Sequence, residues 1–147
     1  MLNDDGNIFD ACFLTAVASL MNTRLPEVTL AGPHKIRVNE EKLRNLNVHH
    51  IPVCTSFYFI EGLSSKQPIL DASSKEEKLA KSRLSVCMNI FEDLCGISTL
   101  GSLEVEPNVL IACTKLALAH TKDITKIIRE AHSSRNTNPL LDFSLSR

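Results

Sequence analysis

The segment Val53–Ile60, opened by Pro52, constrains this chain most. It reads Val-Cys-Thr-Ser-Phe-Tyr-Phe-Ile, β-branched and aromatic at successive positions. In a strand successive side chains point to opposite faces. A strand apolar on both faces has to be covered on both. The chain must therefore build a sheet with a layer on each side.

The other elements can supply those layers. Phe9, Phe13, Ala16, Val17 and Leu20 recur at three- and four-residue spacing, which predicts a helix ending near Asn22, with Asn7 or Asp10 as its cap. Pro107 suits a first helical turn. From there Val109, Cys113, Leu116, His120, Ile124, Ile127 and Ala131 repeat at helical spacing, with Lys115, Lys122, Lys126 and Arg129 opposite. That predicts an amphipathic helix of about 25 residues. Arg83–Ile90 alternates with Leu84, Val86, Met88 and Ile90 on one face, and Asp93–Ser98 is its expected hairpin partner. Pro68–Ala72 reads as a short strand, and Glu27–Leu30 and Lys35–Val38 as short extended pieces about Ala31-Gly32-Pro33. Glu40–Val48, Glu61–Gln67 and Leu100–Val105 read as loops or turns. Residues 133–147 are Ser/Asn-rich and are expected to form a flexible tail. The order of elements predicts an α+β fold.

With 147 residues the chain can bury about 70% of its unfolded surface without a staple. Sixteen Lys+Arg against seventeen Asp+Glu give a net charge of −1, which excludes whole-chain electrostatic attraction to nucleic acid or membrane and leaves only local patches. No apolar run reaches the roughly 20 residues of a bilayer span, and the N-terminus lacks a basic segment followed by an apolar core. The five cysteines are odd in number and contain no CxxC pair; four lie in apolar runs. They read as reduced, mostly buried thiols of a cytosolic or nuclear protein. One Tyr and no Trp make a poor stacking platform for single-stranded RNA.

Few residues suggest chemistry by themselves. His49 and His50 are adjacent, so on an extended segment they point apart and cannot chelate one metal together. His120 lies on the apolar face of the long helix and reads as a core histidine held by a hydrogen bond. Cys54 and Cys87 lie in strands with no basic neighbour to activate a thiol. No phosphate-binding glycine pattern occurs, and no cofactor or metal is called for. Asp71 to Arg83 carries a local charge cluster between two strands. Glu76 and Glu77 could pair for acid/base work, but adjacent carboxylates flanked by Lys75 and Lys78 read as a salt-bridged exposed turn.

Three stretches carry a family resemblance. Leu2-Asn3-Asp4-Asp5-Gly6-Asn7-Ile8-Phe9-Asp10-Ala11 resembles the L-x-x-D-G-N-x-x-D-A signature of RNase PH-like subunits of the RNA exosome. His49-His50-Ile51-Pro52-Val53 is similar to the segment opening the second half of that fold, in the form seen in the non-catalytic ring subunit of the polymyositis/scleroderma autoantigen type. Leu70-Asp71 followed by Glu76-Glu77 resembles the family's L-D-(P/A)-T-x-x-E-E turn. The resemblance implies an RNase PH-like α+β fold. Residues 1–48 would be a remnant of the first, ribosomal S5-like half, and 49–132 the second RNase PH-like domain. It also implies a hetero-oligomeric ring with other RNase PH-like subunits in 3′-to-5′ RNA processing and degradation, in the nucleus (nucleolus) and cytoplasm.

Active relatives cleave RNA with phosphate, and their turn reads roughly E-D-x-x-A-D-x-D. Here the two later acids fall on Lys81 and Arg83, whose fixed positive charge cannot exchange protons near neutral pH. The resemblance therefore implies a non-catalytic, structural subunit. Lys75, Lys78, Lys81 and Arg83 are the candidate contacts to RNA phosphates. The alternatives are an active phosphorolytic subunit, another inactive ring subunit, or an unrelated stand-alone enzyme. Family chains are about twice this long, which implies a fragment lacking the first half. Its first helix would then expose an apolar face that favours self-association or partner binding.

Overall fold

The computed structural model describes residues 3–32, 35–60, 67–102 and 105–137. Helix α1 (Ile8–Asn22) leads into strands β1 (Arg24–Leu30) and β2 (Ile36–Asn45). Strands β3 (Val53–Ile60) and β4 (Ile69–Leu70), helix α2 (Ser74–Leu79), strands β5 (Ala80–Met88) and β6 (Leu94–Gly101), and helix α3 (Pro107–Thr137) complete the fold. The central sheet is antiparallel in the order β4-β3-β5-β6.

The sheet's two faces explain the composition of β3. Phe57 pairs across the ladder with Leu84, and Phe57, Phe59, Leu84, Val86 and Met88 form one core with Val109, Cys113 and Ala117 of α3. On the other face Cys54, Ser56 and Tyr58 look toward α1 and α2, where Ser56 meets Asp10 and Tyr58 meets Glu77. Seven of the eight β3 residues are buried, as an element covered on both faces requires.

Helix α3 is longer than its periodicity predicts, running unbroken to Thr137, so residues 133–137 are helical; residues 138–147 lie outside the described residues. Its buried stripe also sits one position off the expected one. Val109, Cys113, Ala117, Thr121 and Thr125 face inward, whereas Leu116 and Ile127 are exposed. Small side chains let the helix axis approach the sheet closely, and the bulkier row is turned toward α1 across a groove. Within α1, Val17 alone is buried, and Phe9 and Leu20 are exposed.

Residues 40–45, expected as a loop, continue β2. The polar content misleads because the β1–β2 hairpin is exposed on both faces and has no buried face to demand alternation. It pairs Val28 with Val38 and Leu30 with Ile36, an exposed apolar row, and Lys42 bridges Glu27 at 3.0 Å. The charge cluster between Asp71 and Arg83 contains the short helix α2, begun by a capping box in which Glu76 accepts from the Ser73 backbone N–H at 2.8 Å. β5 starts three residues before Arg83, and β6 extends to Gly101, into the stretch expected to be a loop. Of Glu61–Gln67, residues 61–66 lie outside the described residues.

Candidate nucleic-acid interface

The Asp-Gly-Asn motif builds the junction at which α1, β3 and α2 meet. Gly6 has φ +99°, and a Cβ there would run into the Ala72 carbonyl and lie 2.6 Å from the Ser73 carbonyl carbon. Only glycine permits both the dihedral and the approach. The Asp4 carboxylate accepts from the Gly6 N–H at 2.8 Å, and the Ser74 N–H donates to the Asp5 carbonyl at 2.9 Å. Asn7 occupies the N-cap position of α1 in a left-handed conformation (φ 47°), yet its side chain makes no cap. Its Nδ2 donates instead to Asp71 at 3.1 Å, and its backbone N–H donates to Glu77 Oε1 at 2.9 Å. The same Glu77 oxygen accepts from the Tyr58 hydroxyl at 2.6 Å.

Asp10, the other candidate cap, has a different task. It accepts from the Ser56 backbone N–H and from Ser56 Oγ, each at 2.7 Å, and Ser56 Oγ meets Ser85 Oγ at 2.8 Å. β4 covers β3 only at Phe57 and Tyr58, so Asp10 satisfies an edge amide that no strand reaches. Both roles are invisible in local sequence because the partners lie 46 to 70 residues away.

The junction's electrostatics follow from these contacts. Burial, then the hydrogen bond to Glu77 and its negative charge, pushes the Tyr58 hydroxyl up to about 12. The Ser73 backbone N–H and hydroxyl hold the Glu76 carboxyl below its ordinary value.

The four basic candidates divide into two pairs. Lys81 and Arg83, on β5, line a 280 Å³ pocket with Tyr58, Glu77, Ser82 and Leu100. The Arg83 guanidinium lies over the Phe9 ring at 5.1 Å, which joins β5 to α1. Lys75 and Lys78 are exposed on α2 and do not line that pocket. Sequence reading missed Tyr58, Asn7 and Phe9 as partners of this region. The one usable signal was the lone tyrosine, whose polar tip needs a partner when its body is buried.

His49 and His50 are exposed, and His50 packs edge-to-face against Phe91 with centroids 5.9 Å apart. His120 Nδ1 is 3.0 Å from Thr55 Oγ1, the expected hydrogen bond, but the residue as a whole is exposed. All five cysteines are free; only Cys54 and Cys113 are buried, and Cys12 and Cys95 are exposed. The expectation of mostly buried thiols is corrected: Cys12 lies on an uncovered part of α1 and Cys95 on edge strand β6, where an apolar neighbourhood in sequence meets no covering layer. Among the described residues no three His, Cys, Asp or Glu are arranged to hold a metal, and no helix is long and apolar enough to cross a membrane.

Comparison with known proteins agrees with this architecture. Residues 50–120 match the model of the 3′ exoribonuclease family, domain 2. The chain is 30% identical over 133 residues to exosome complex component RRP45 of Bos taurus, covering 89% of this chain and 30% of that protein. It is 29% identical over 132 residues to exosome complex component rrp45 of Schizosaccharomyces pombe, covering 88% and 45%. The chain thus spans less than half the length of either relative. An archaeal exosome core superposes with a TM-score of 0.70 at 20% identity, over 87% of this chain and 47% of that one. An Archaeoglobus fulgidus exosome with RNA bound to the active site gives 0.68 at 19%, over 85% and 44%. At such identity these structures show the fold alone. Over residues 50–120 the chain thus matches the second domain of the 3′ exoribonuclease family, and over most of its length it has the RNase PH-like α+β fold.

Proposed function

We propose that the chain is part of a structural, non-catalytic subunit of an exosome ring, acting in 3′-to-5′ RNA processing and degradation beside other RNase PH-like subunits. The observation that carries this reading is the use made of the two surviving acids. Glu76 is held in the capping box of α2, and Glu77 is held by the Asn7 N–H and the Tyr58 hydroxyl. Each stabilises the junction. The two further positions at which active relatives carry acids hold Lys81 and Arg83, whose charge is fixed near neutral pH. A general acid or base has to release or accept a proton at the reacting oxygen, which a fixed positive charge does not do near neutral pH.

Lys81 and Arg83 face one pocket and form the core of the proposed contact to RNA phosphates, with Lys75 and Lys78 as outlying charges. The exposed apolar row on the β1–β2 hairpin supports docking against another subunit or a second copy. A ring of this kind works in the nucleus and cytoplasm.

The direct test is phosphorolysis. The chain, alone and reconstituted with RNase PH-like partner subunits, is incubated with a 3′-hydroxyl oligoribonucleotide and inorganic phosphate. No nucleoside diphosphate above that of the partners alone is expected. Release that tracks this chain, and is lost on Glu77→Gln, would establish the active alternative.

A further inference from the structure

Three cysteines from three adjacent strands gather on the α1-facing side of the sheet. The antiparallel register sets Cys54 directly opposite Cys87, and Cys87 opposite Gly96. Because the Ser56 N–H is given to Asp10, the Ser56–Ser85 pair is of the non-hydrogen-bonded kind, and Cys54–Cys87, two residues along, is of the same kind. On β6 a bulge between the Cys87–Gly96 and Met88–Leu94 pairs leaves Cys95 as the extra residue beside Cys87. A Cβ built on Gly96 would lie 3.8 Å from Cys87 Cβ, so the glycine leaves open the space above Cys87 that a side chain would fill. Cys54, Cys87 and Cys95 all line one 380 Å³ cavity, walled by Phe9 and Phe13.

The three thiols differ in access. Cys95 is exposed, Cys87 half-buried and Cys54 buried. We propose that Cys87 and Cys95 form a thiol-oxidation site for hydroperoxides, in which Cys95 takes the first oxidation and Cys87 resolves it as a disulfide. In the first step the Cys95 sulfur attacks a peroxide oxygen; an S–O bond forms, the O–O bond breaks, and with hydrogen peroxide the thiol proton leaves in one water, giving the sulfenic acid. In the second, Cys87 sulfur attacks Cys95 sulfur, the S–O bond breaks, and the hydroxyl departs with the Cys87 proton as a second water. Cys54 takes no part: at 5% exposure it is the least accessible of the three. The product clamps edge strand β6 onto β5.

The test treats the folded chain with hydrogen peroxide, alkylates it after denaturation, and maps it with a Glu-specific protease, which cuts at Glu92 between the two residues. The expected result is a Cys87–Cys95 linked peptide, with Cys54 and Cys113 fully alkylated. Cys87→Ser should abolish the link and leave a Cys95 sulfenic acid trapped by dimedone. Cys95→Ser should leave Cys54 and Cys87 reduced at the same peroxide dose, with Cys12 as an exposed reference thiol. A Cys54–Cys87 link, or Cys95 oxidation no faster than that of Cys12 and without a link, would overturn the proposal.

Discussion

At the scale of single residues, the family signature of this chain is explained by fastening. Gly6 allows the chain to lie against the Ala72–Ser74 backbone, Asn7 reaches Asp71 and Glu77, and Asp10 satisfies the edge amide of Ser56. Gly6→Ala meets both an unfavourable φ and a backbone clash, so a loss of at least about 2 kcal/mol is expected, visible as a lower midpoint in urea unfolding. Tyr58 provides a pH handle on the same junction. Its folded-state value, about 12 against an ordinary 10, favours the protonated form in the folded protein. That contribution is complete below pH 10 and is lost as pH rises toward 12. Cys54 and Cys87 are raised too, to about 12 and about 11, and they add an alkaline loss beginning near pH 9. Tyr58→Phe should therefore flatten only the part of the stability profile above about pH 10. An unchanged profile would mean that the Tyr58 hydroxyl does not bind Glu77 in solution.

At the scale of elements, stability is concentrated where the sheet meets α3. Leu84 is 1% exposed within that core, so Leu84→Ala should cost about 2–5 kcal/mol. Leu79, at the end of α2, is 65% exposed, and Leu79→Ala should change stability by no more than about 0.5 kcal/mol. Paired chemical denaturation of the two variants checks this contrast, since both delete the same side-chain atoms and differ chiefly in burial. The hairpin behaves differently. A two-stranded ribbon is marginal by itself, and its apolar row stands uncovered. Its amides should exchange with deuterium far faster than those of β3 and β5.

At the scale of the whole molecule, net charge and local charge point in different directions. The chain carries −1, but Lys75 to Arg83 places four basic residues against two acids around the junction. Glu76 and Glu77 are already engaged there. RNA affinity of the subunit, assembled with its partners, should have a logarithmic salt slope corresponding to about two to four phosphates, without base preference. The Lys81→Ala, Arg83→Ala double variant should weaken binding for every sequence alike and lower that slope. If affinity and slope both stay where they were, the role is scaffolding alone. Arg83→Ala also removes the contact to Phe9, so a thermal unfolding measurement has to accompany it.

The sequence by itself determined the elements whose side-chain pattern has one physical solution. β3, rich in β-branched and aromatic residues on both faces, was legible to the residue, as was the existence of α1 and α3. The motif at Leu2–Ala11 was legible as a family mark, though not as a set of bonds. Tertiary structure decided what depends on distant partners. It chose the small-residue stripe of α3 over the bulky one, because closeness to the sheet buries more than side-chain size alone. It turned 40–45 into strand by pairing 43–45 with β1 beyond a bulge, and it left Cys95 exposed on an edge. It also gave Glu77 a structural partner in Tyr58, and that bond was unreadable across a separation of 19 positions. A carboxylate's chemistry depends on what reaches it, and only the folded chain brings those groups together.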